Sequence, residues 1–250
     1  IEYVFTLETL ANLSLVGVQE DFAGVYTFPV HKVSTDPQGD TVETVETLRV
    51  EIAPVVDQID SIPGMTIQED TPTALAINLQ SLIGDSSILN SKGTEVVSGI
   101  HFKALTDGGT LNAPTGLLVS DGSGGYTLTD VSRIGEVIYT PPFNKHGTFN
   151  IPIEITVTDT TTGNIIVGNT ATATFNSNIA VVVEQVTDDS TLSTQTVYGA
   201  EDGQFALTGL SAALFDTDGS ETMTLQIEGL PPGAVLYIGG TPAANNGSKD

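Results

Sequence analysis

The sequence predicts an all-β fold, built as an elongated array of β-sandwich modules in tandem, and three observations carry that prediction. Short runs of aliphatic and Thr residues alternate, Gly and Pro punctuate them, and no stretch sustains a helical period. The chain also repeats itself, because residues 3–36 lie over 126–159 without a gap at a constant shift of 123. Tyr3 falls on Tyr126, Thr6 on Thr129, Gly24 on Gly147, Pro29 on Pro152, Thr35 on Thr158 and Asp36 on Asp159. Phe28-Pro29-Val30 meets Ile151-Pro152-Ile153 with the same apolar alternation. The match resumes at a shift of 127, where Ile52–Gln58 meets Ile179–Gln185 and Asp57 meets Glu184, and Glu69-Asp70 corresponds to Glu201-Asp202. Finally, a period of this size is longer than a solenoid coil, so it means whole domains in series.

Divided from linker to linker, the chain holds one complete module at 58–187, the C-terminal half of another at 1–57, and the N-terminal half of a third at 188–250. The two flanking pieces are complementary, and each is too small to bury a dependable core by itself. The chain is therefore expected to be a window on a longer array. No run in it reads as a membrane span.

Within the complete module, Met65–Asp70 and Leu75–Leu79 read as opening strands, and Ile100–Leu105 as the third. Tyr126–Thr129 and Val137–Thr140 follow, and Phe149–Val157 with Ala171–Val183 forms the last pair. Seven strands in a module of this length fit an immunoglobulin-like sandwich whose strands alternate up and down. In that arrangement the start of the first strand, the second-to-third loop and the sixth-to-seventh loop gather at one pole. The expectation is that Glu69, Asp70, Asp85, Asn90, Glu95 and Asp159 meet there, with Asp57 and Asp60 arriving from the linker.

Lys and Arg total 7 against 31 Asp and Glu, a net charge of −24. That balance excludes nucleic acid, whose phosphates need cationic neutralisation, and it excludes anionic membrane surfaces. Acidity of this kind also keeps secreted proteins soluble. There are no Cys, so disulfides and thiolate metal sites are ruled out and any staple must use oxygen ligands. Two carboxylates about 4 Å apart repel by about 4 kcal/mol at the effective dielectric of a protein surface, so a cluster of them calls for a cation. Calcium accepts about 6 to 8 oxygens in flexible geometry and suits ligands collected from separate loops better than magnesium or zinc.

The strongest local motif is Asp216-Thr217-Asp218-Gly219-Ser220-Glu221, where alternate oxygen-bearing side chains and a Gly-permitted turn can wrap one ion. The full EF-hand spacing and its flanking helices are absent. An aspartic-protease reading fails because Asp218 interrupts the signature and no second copy supplies a paired carboxylate. An acidic solvated turn is the simpler alternative. The equivalent stretch of the complete module is Asn90–Glu95, where Lys92 replaces one acid.

These motifs together resemble bacterial cadherin-like modules of large RTX-type adhesins. The resemblance rests on Glu-Asp in the opening strand, Asp-x-Asp-Gly-Ser-Glu before an alternating strand, Leu230-Pro231-Pro232-Gly233-Ala234, the strand through Pro29 or Pro152 that ends in Thr-Asp, and the Pro54-Val55-Val56-Asp57 linker. It implies a secreted or surface-held protein, in a Gram-negative bacterium, whose linker calcium ions stiffen a long stalk. Asp57, Glu69, Asp70, Asp85, Asn90, Glu95, Asp159, Glu184, Glu201, Asp202, Asp216, Asp218, Glu221 and Asp36 are the ligand candidates, with Asp36 the weakest because its module lacks the Glu-Asp pair. Two departures stand out: the RTX nonapeptide is missing, and Pro54 is replaced by Val181 in the second linker.

Catalysis has little support. His31, His101 and His146 show no metal-binding spacing, there is no Gly-x-Ser-x-Gly elbow, and Ser123 lies in a Gly-rich run, 121–125, that reads as a flexible turn. The sequence thus predicts a non-enzymatic calcium-rigidified extender whose partners are neighbouring modules of the same long chain. Glycans or surface proteins would be met through other regions. The alternatives are a glycan- or protein-binding module, for which the absence of Trp removes the usual aromatic platform, and an S-layer-type lattice subunit.

Overall fold

The computed structural model describes residues 3–16, 18, 22–83, 93–161 and 168–244, and these form an all-β protein. The chain divides into two compact units, Ile1–Val186 and Thr187–Asp250. Among the described residues no helix is long and apolar enough to cross a membrane.

After a 3-10 turn at Leu7–Asn12, the first unit forms a hairpin of β1 (Gly24–Thr35) and β2 (Thr41–Ile52). Asp36 makes the bend, its Oδ1 accepting the backbone N–H groups of Gln38 and Asp40 at 2.9 Å each. There follow β3 (Met65–Gln68), β4 (Thr73–Ala74), a 3-10 turn at Leu79–Leu82, β5 (Gly93–Phe102), β6 (Thr110–Asn112), β7 (Leu118–Ser120) and β8 (Tyr126–Leu128). After a third 3-10 stretch, Val131–Glu136, come β9 (Ile138–Thr140), β10 (Gly147–Thr161) and β11 (Thr170–Glu184). One sheet runs β3-β11-β10-β5-β8-β7 and a smaller one runs β4-β9-β6.

The period-2 pattern decides what is buried. Along β10, Ile151, Ile153, Ile155 and Val157 point inward and are at most 1% exposed, while Pro152, Glu154, Thr156 and Thr158 point away. The inward residues share one apolar cluster with Leu75, Val137 and Tyr139 of the region around the smaller sheet, so the two sheets pack as layers of a β-sandwich. Every member of that cluster lies between Val56 and Val183. The Thr-rich composition is spent on the opposite face of the large sheet. There Thr94 meets Thr160 at 3.0 Å and Ser98 meets Thr158 at 2.7 Å across neighbouring strands.

Three expectations about elements change. Leu75–Leu79 is not a strand: β4 ends at Ala74, and Ala76 and Ile77 then donate to carbonyls only two residues back, at 2.9 and 2.8 Å, in tight turns. The third strand starts at Gly93, ahead of the expected Ile100. The three-residue strands β6 and β7 carry too little pattern to be read.

The internal repeat is visible in the backbone. Gly24 pairs with Ile52 and Gly147 with Val183, and both glycines have positive φ, 140° and 120°, which side chains rarely adopt. The first strands correspond at a shift of 123, but the second correspond at 131, setting Leu48, Val50 and Ile52 against Ile179, Val181 and Val183. This corrects the shift of 127. Alternation has a period of two, so a four-residue slip leaves every side chain on its own face and cannot be detected from the pattern alone.

In the second unit, β12 (Ser190–Thr194) pairs with β13 (Leu210–Leu214), and β14 (Tyr237–Ile238) with β15 (Thr241–Pro242). Among its described residues Asp216 alone is buried.

Candidate functional site

An extended linker exposes alternate N–H groups that no neighbouring strand can take, and in this protein carboxylates take them. After β2, the Val55 N–H donates to Asp159 Oδ2 at 3.1 Å and the Asp57 N–H to Glu95 Oε1 at 2.9 Å. After β11, the Val186 N–H donates to Glu69 Oε1. Within the second unit, the Asp188 N–H donates to Glu221 Oε1. Val55 and Asp57 precede Val186 and Asp188 by the same 131 residues that relate β2 to β11. Glu95 and Glu221 are the residues that the shift between Asn90–Glu95 and Asp216–Glu221 brings together. Bonds of this kind to an ionised acceptor are about twice as strong as neutral ones.

The acids do not share one pole. Glu95 lies opposite Asp159 in the β5–β10 register, Asp57 is bonded to Glu95, and Asp159 holds Val55 two residues earlier in the same linker, so these three converge at one end of the sandwich. Glu69 follows β3, which runs parallel to the last residues of β11, and its N–H donates to the Glu184 carbonyl at 2.9 Å. Gly147 pairs with Val183 at that same end, so the twelve residue steps of β10 from Gly147 to Asp159 separate the two groups by about 40 Å. The pole itself follows the expected loops. Glu69 and Asp70, however, close the opening strand rather than begin it, and a pair at the far end of a strand arrives at the far pole.

Glu69, Glu95 and Asp159 are buried, at 2%, 4% and 6% exposure. Asp70 takes a left-handed conformation, φ 54°, with its Oδ1 accepting the Asn144 N–H at 2.9 Å. Asp202 has the matching φ of 57°, but it and Glu201 are exposed. The Glu184 side chain is exposed too, and the residue that stands where Asp57 stands is Asp188, which the shift of 127 hid. Asp36 is exposed and serves its turn. In the Asp-rich loop, Asp216 is 1% exposed and accepts from the Asp218 N–H at 2.8 Å and the Ser220 hydroxyl at 2.7 Å, while Asp218 accepts from the Ser220 N–H at 2.9 Å. Asp85, Asn90 and Lys92 lie outside the described residues.

Among the described residues, the buried carboxylate oxygens Glu69 Oε2 and Glu221 Oε2 meet no hydrogen-bond donor. Burying such an atom unpaired is costly, and a cation would remove the cost. Beside Glu69, a His146 ring nitrogen and a Glu69 oxygen offer ligand atoms within 4.8 Å of each other. Nothing in the sequence marked His146. Asp57, Glu95 and Asp159 offer only oxygen, the donor type a hard cation takes, but among the described residues the group with side-chain ligand atoms within 4.8 Å of one another contains Glu69 and His146 and none of these three, and there the imidazole makes the donor set mixed.

Elsewhere, the Gly-rich run reads differently in three dimensions. Asp121 Oδ1 accepts the N–H groups of Ser123 at 2.6 Å and Gly125 at 3.0 Å, and its Oδ2 meets His101 Nε2 at 3.0 Å. The Ser123 bond, then His101 and Gly125, hold the Asp121 carboxyl below its ordinary range. The run is thus a hydrogen-bonded turn between β7 and β8. Comparison of the chain with protein-family models, curated proteins and solved structures finds no match.

Proposed function

We propose that this chain is a calcium-braced extender segment of a large surface adhesin, with a mechanical job: holding successive sandwiches at a fixed spacing. The observation that carries the reading is Glu69. It is 2% exposed, it fixes the outgoing linker through the Val186 N–H, and its second oxygen meets no donor among the described residues. At the opposite end, Asp159 and Glu95 fix the incoming linker in the same way. Calcium at Asp57, Glu95 and Asp159, and at Glu69 with Asp70, would neutralise a set of acids in which Glu69, Glu95 and Asp159 already hold linker N–H groups. A net charge of −24 and the absence of Cys favour an ionic staple over a covalent one. In this reading the protein is extracellular and performs no catalysis.

The test is a set of thermal melts of the 250-residue chain in calcium, in magnesium and in chelator. Calcium at about 100 times its dissociation constant is expected to add about 2.7 kcal/mol to the stability of the unit that binds it. Glu95→Gln and Glu69→Gln should each shrink that increment. Curves that superimpose in all three conditions would leave solubility as the reason for the acids.

A further inference from the structure

Glu69 and His146 come from the two strands that flank β11. The sheet order β3-β11-β10 sets Gln68 opposite Glu184 on one side of β11 and Gly147 opposite Val183 on the other. Glu69 is the residue after Gln68 and His146 the residue before Gly147, so both leave their strands at the end where β11 closes. Strands two places apart in a sheet lie about 10 Å from each other, a gap that a glutamate and a histidine side chain can span together. They do span it, because a His146 ring nitrogen and a Glu69 carboxylate oxygen stand within 4.8 Å. Beside them His146, Gly147, Val183, Glu184 and Gln185 line an open depression of about 460 Å³, with room for an ion and its waters.

What the pair lacks is a positive charge. Glu69 is 2% exposed, one of its oxygens accepts the Val186 N–H, and the other meets no donor among the described residues. A buried carboxylate in that state is costly, and an adjacent cation removes the cost. The other two histidines offer a contrast. His31 bonds to Glu43, but both are exposed, and His101 bonds to Asp121, which already accepts the N–H groups of Ser123 and Gly125. The donor atoms at Glu69 also select among cations. Calcium and magnesium take oxygen, whereas an imidazole nitrogen beside a carboxylate oxygen suits zinc and its first-row neighbours.

We infer that Glu69 and His146 form a binding site for a divalent transition metal of the zinc class, which fastens β3 to β10 across the end of β11. Glu69 supplies an oxygen and His146 a ring nitrogen, and the remaining positions go to other oxygen donors, water among them. The same carboxylate holds the Val186 N–H, so the ion stiffens the strand end from which the outgoing linker departs. The site shares Glu69 with the calcium reading but does not rest on it, since it adds a nitrogen ligand that calcium does not use.

The experiment adds zinc to the calcium-free 250-residue chain and follows its three imidazoles by NMR. The His146 ring signals should move while those of His31 and His101 hold still. In calorimetry, His146→Gln and Glu69→Gln should each weaken zinc binding at least about tenfold, since losing even an outer-shell partner of a metal ligand costs about 10–100-fold. Calcium affinity should be unchanged in His146→Gln. Thermal melts in calcium test the calcium reading separately, so either reading can fail while the other stands. Zinc that moves no imidazole, or that moves His31 or His101 as much as His146, would overturn the inference. So would zinc affinity untouched by His146→Gln, or a His146→Gln variant that loses calcium in parallel, which would make the effect of the histidine structural.

Discussion

Tyr139 shows what a single position in this core is asked to tolerate. Its side chain is 0% exposed, its hydroxyl has no hydrogen-bond partner among the described residues, and Gly109 lies against it so closely that a Cβ there would stand 2.8 Å from the ring and the hydroxyl. Burial, with a smaller push from the Asp107 charge, raises the phenol from 10.0 to about 12. The folded state thus keeps its proton more tightly than the unfolded chain does. The resulting contribution is fully present below pH 10 and disappears as pH climbs through about 12. A shift of this size corresponds to at most roughly 2–3 kcal/mol. Tyr139→Phe is expected to leave stability at neutral pH unchanged or slightly higher, because it deletes an unpaired buried hydroxyl and nothing else. In denaturant titrations through the alkaline range the wild type should lose more stability than the variant. Parallel losses would mean that Tyr139 is not the group that titrates.

At the scale of elements, the repeat offers a controlled comparison, since one hairpin appears twice in one chain with different surroundings. Ile151→Ala opens a cavity in a packed sandwich and should cost about 2–5 kcal/mol. Phe28→Ala removes a larger side chain from the equivalent position, yet in dilute solution it should fall within about 0.5 kcal/mol of wild type, as exposed substitutions do. Equal costs would mean that the β1–β2 face is covered. The same pair of hairpins shows what the sequence could and could not reveal. The alternating runs around Pro29 and Pro152 announced both first strands, although the expected start at Phe149 lay two residues inside β10, which begins at Gly147. The pairing register escaped, because a slip of four residues preserves alternation and only the ladder from Gly147 to Val183 resolves it. The acids were legible as residue types. Their grouping was legible for Asp57, Glu95 and Asp159 and not for Glu69 and Asp70, because Glu69 follows a short parallel strand, and whether an acid begins or ends a strand decides which pole it reaches.

The whole molecule concentrates its stability in one stretch of chain. Its apolar cluster lies between Val56 and Val183, and in the second unit the sole buried described residue is an acid held by its own loop. Amides of β10 and β11 should therefore exchange with solvent only on global unfolding, while those of β1, β2, β12 and β13 exchange through local opening, orders of magnitude faster. Calcium would slow part of this exchange at a defined place. It acts on the carboxylates that hold the linkers, so the amides of Val55, Asp57, Val186 and Asp188 should slow when the ion is added, while those of β1, β2, β12 and β13 stay fast. Hydrogen exchange read by mass spectrometry in calcium and in chelator checks this. Linker amides equally protected in both would show that the carboxylate bonds suffice by themselves, and slowing spread evenly over every strand would mean that the ion acts elsewhere than at the linkers.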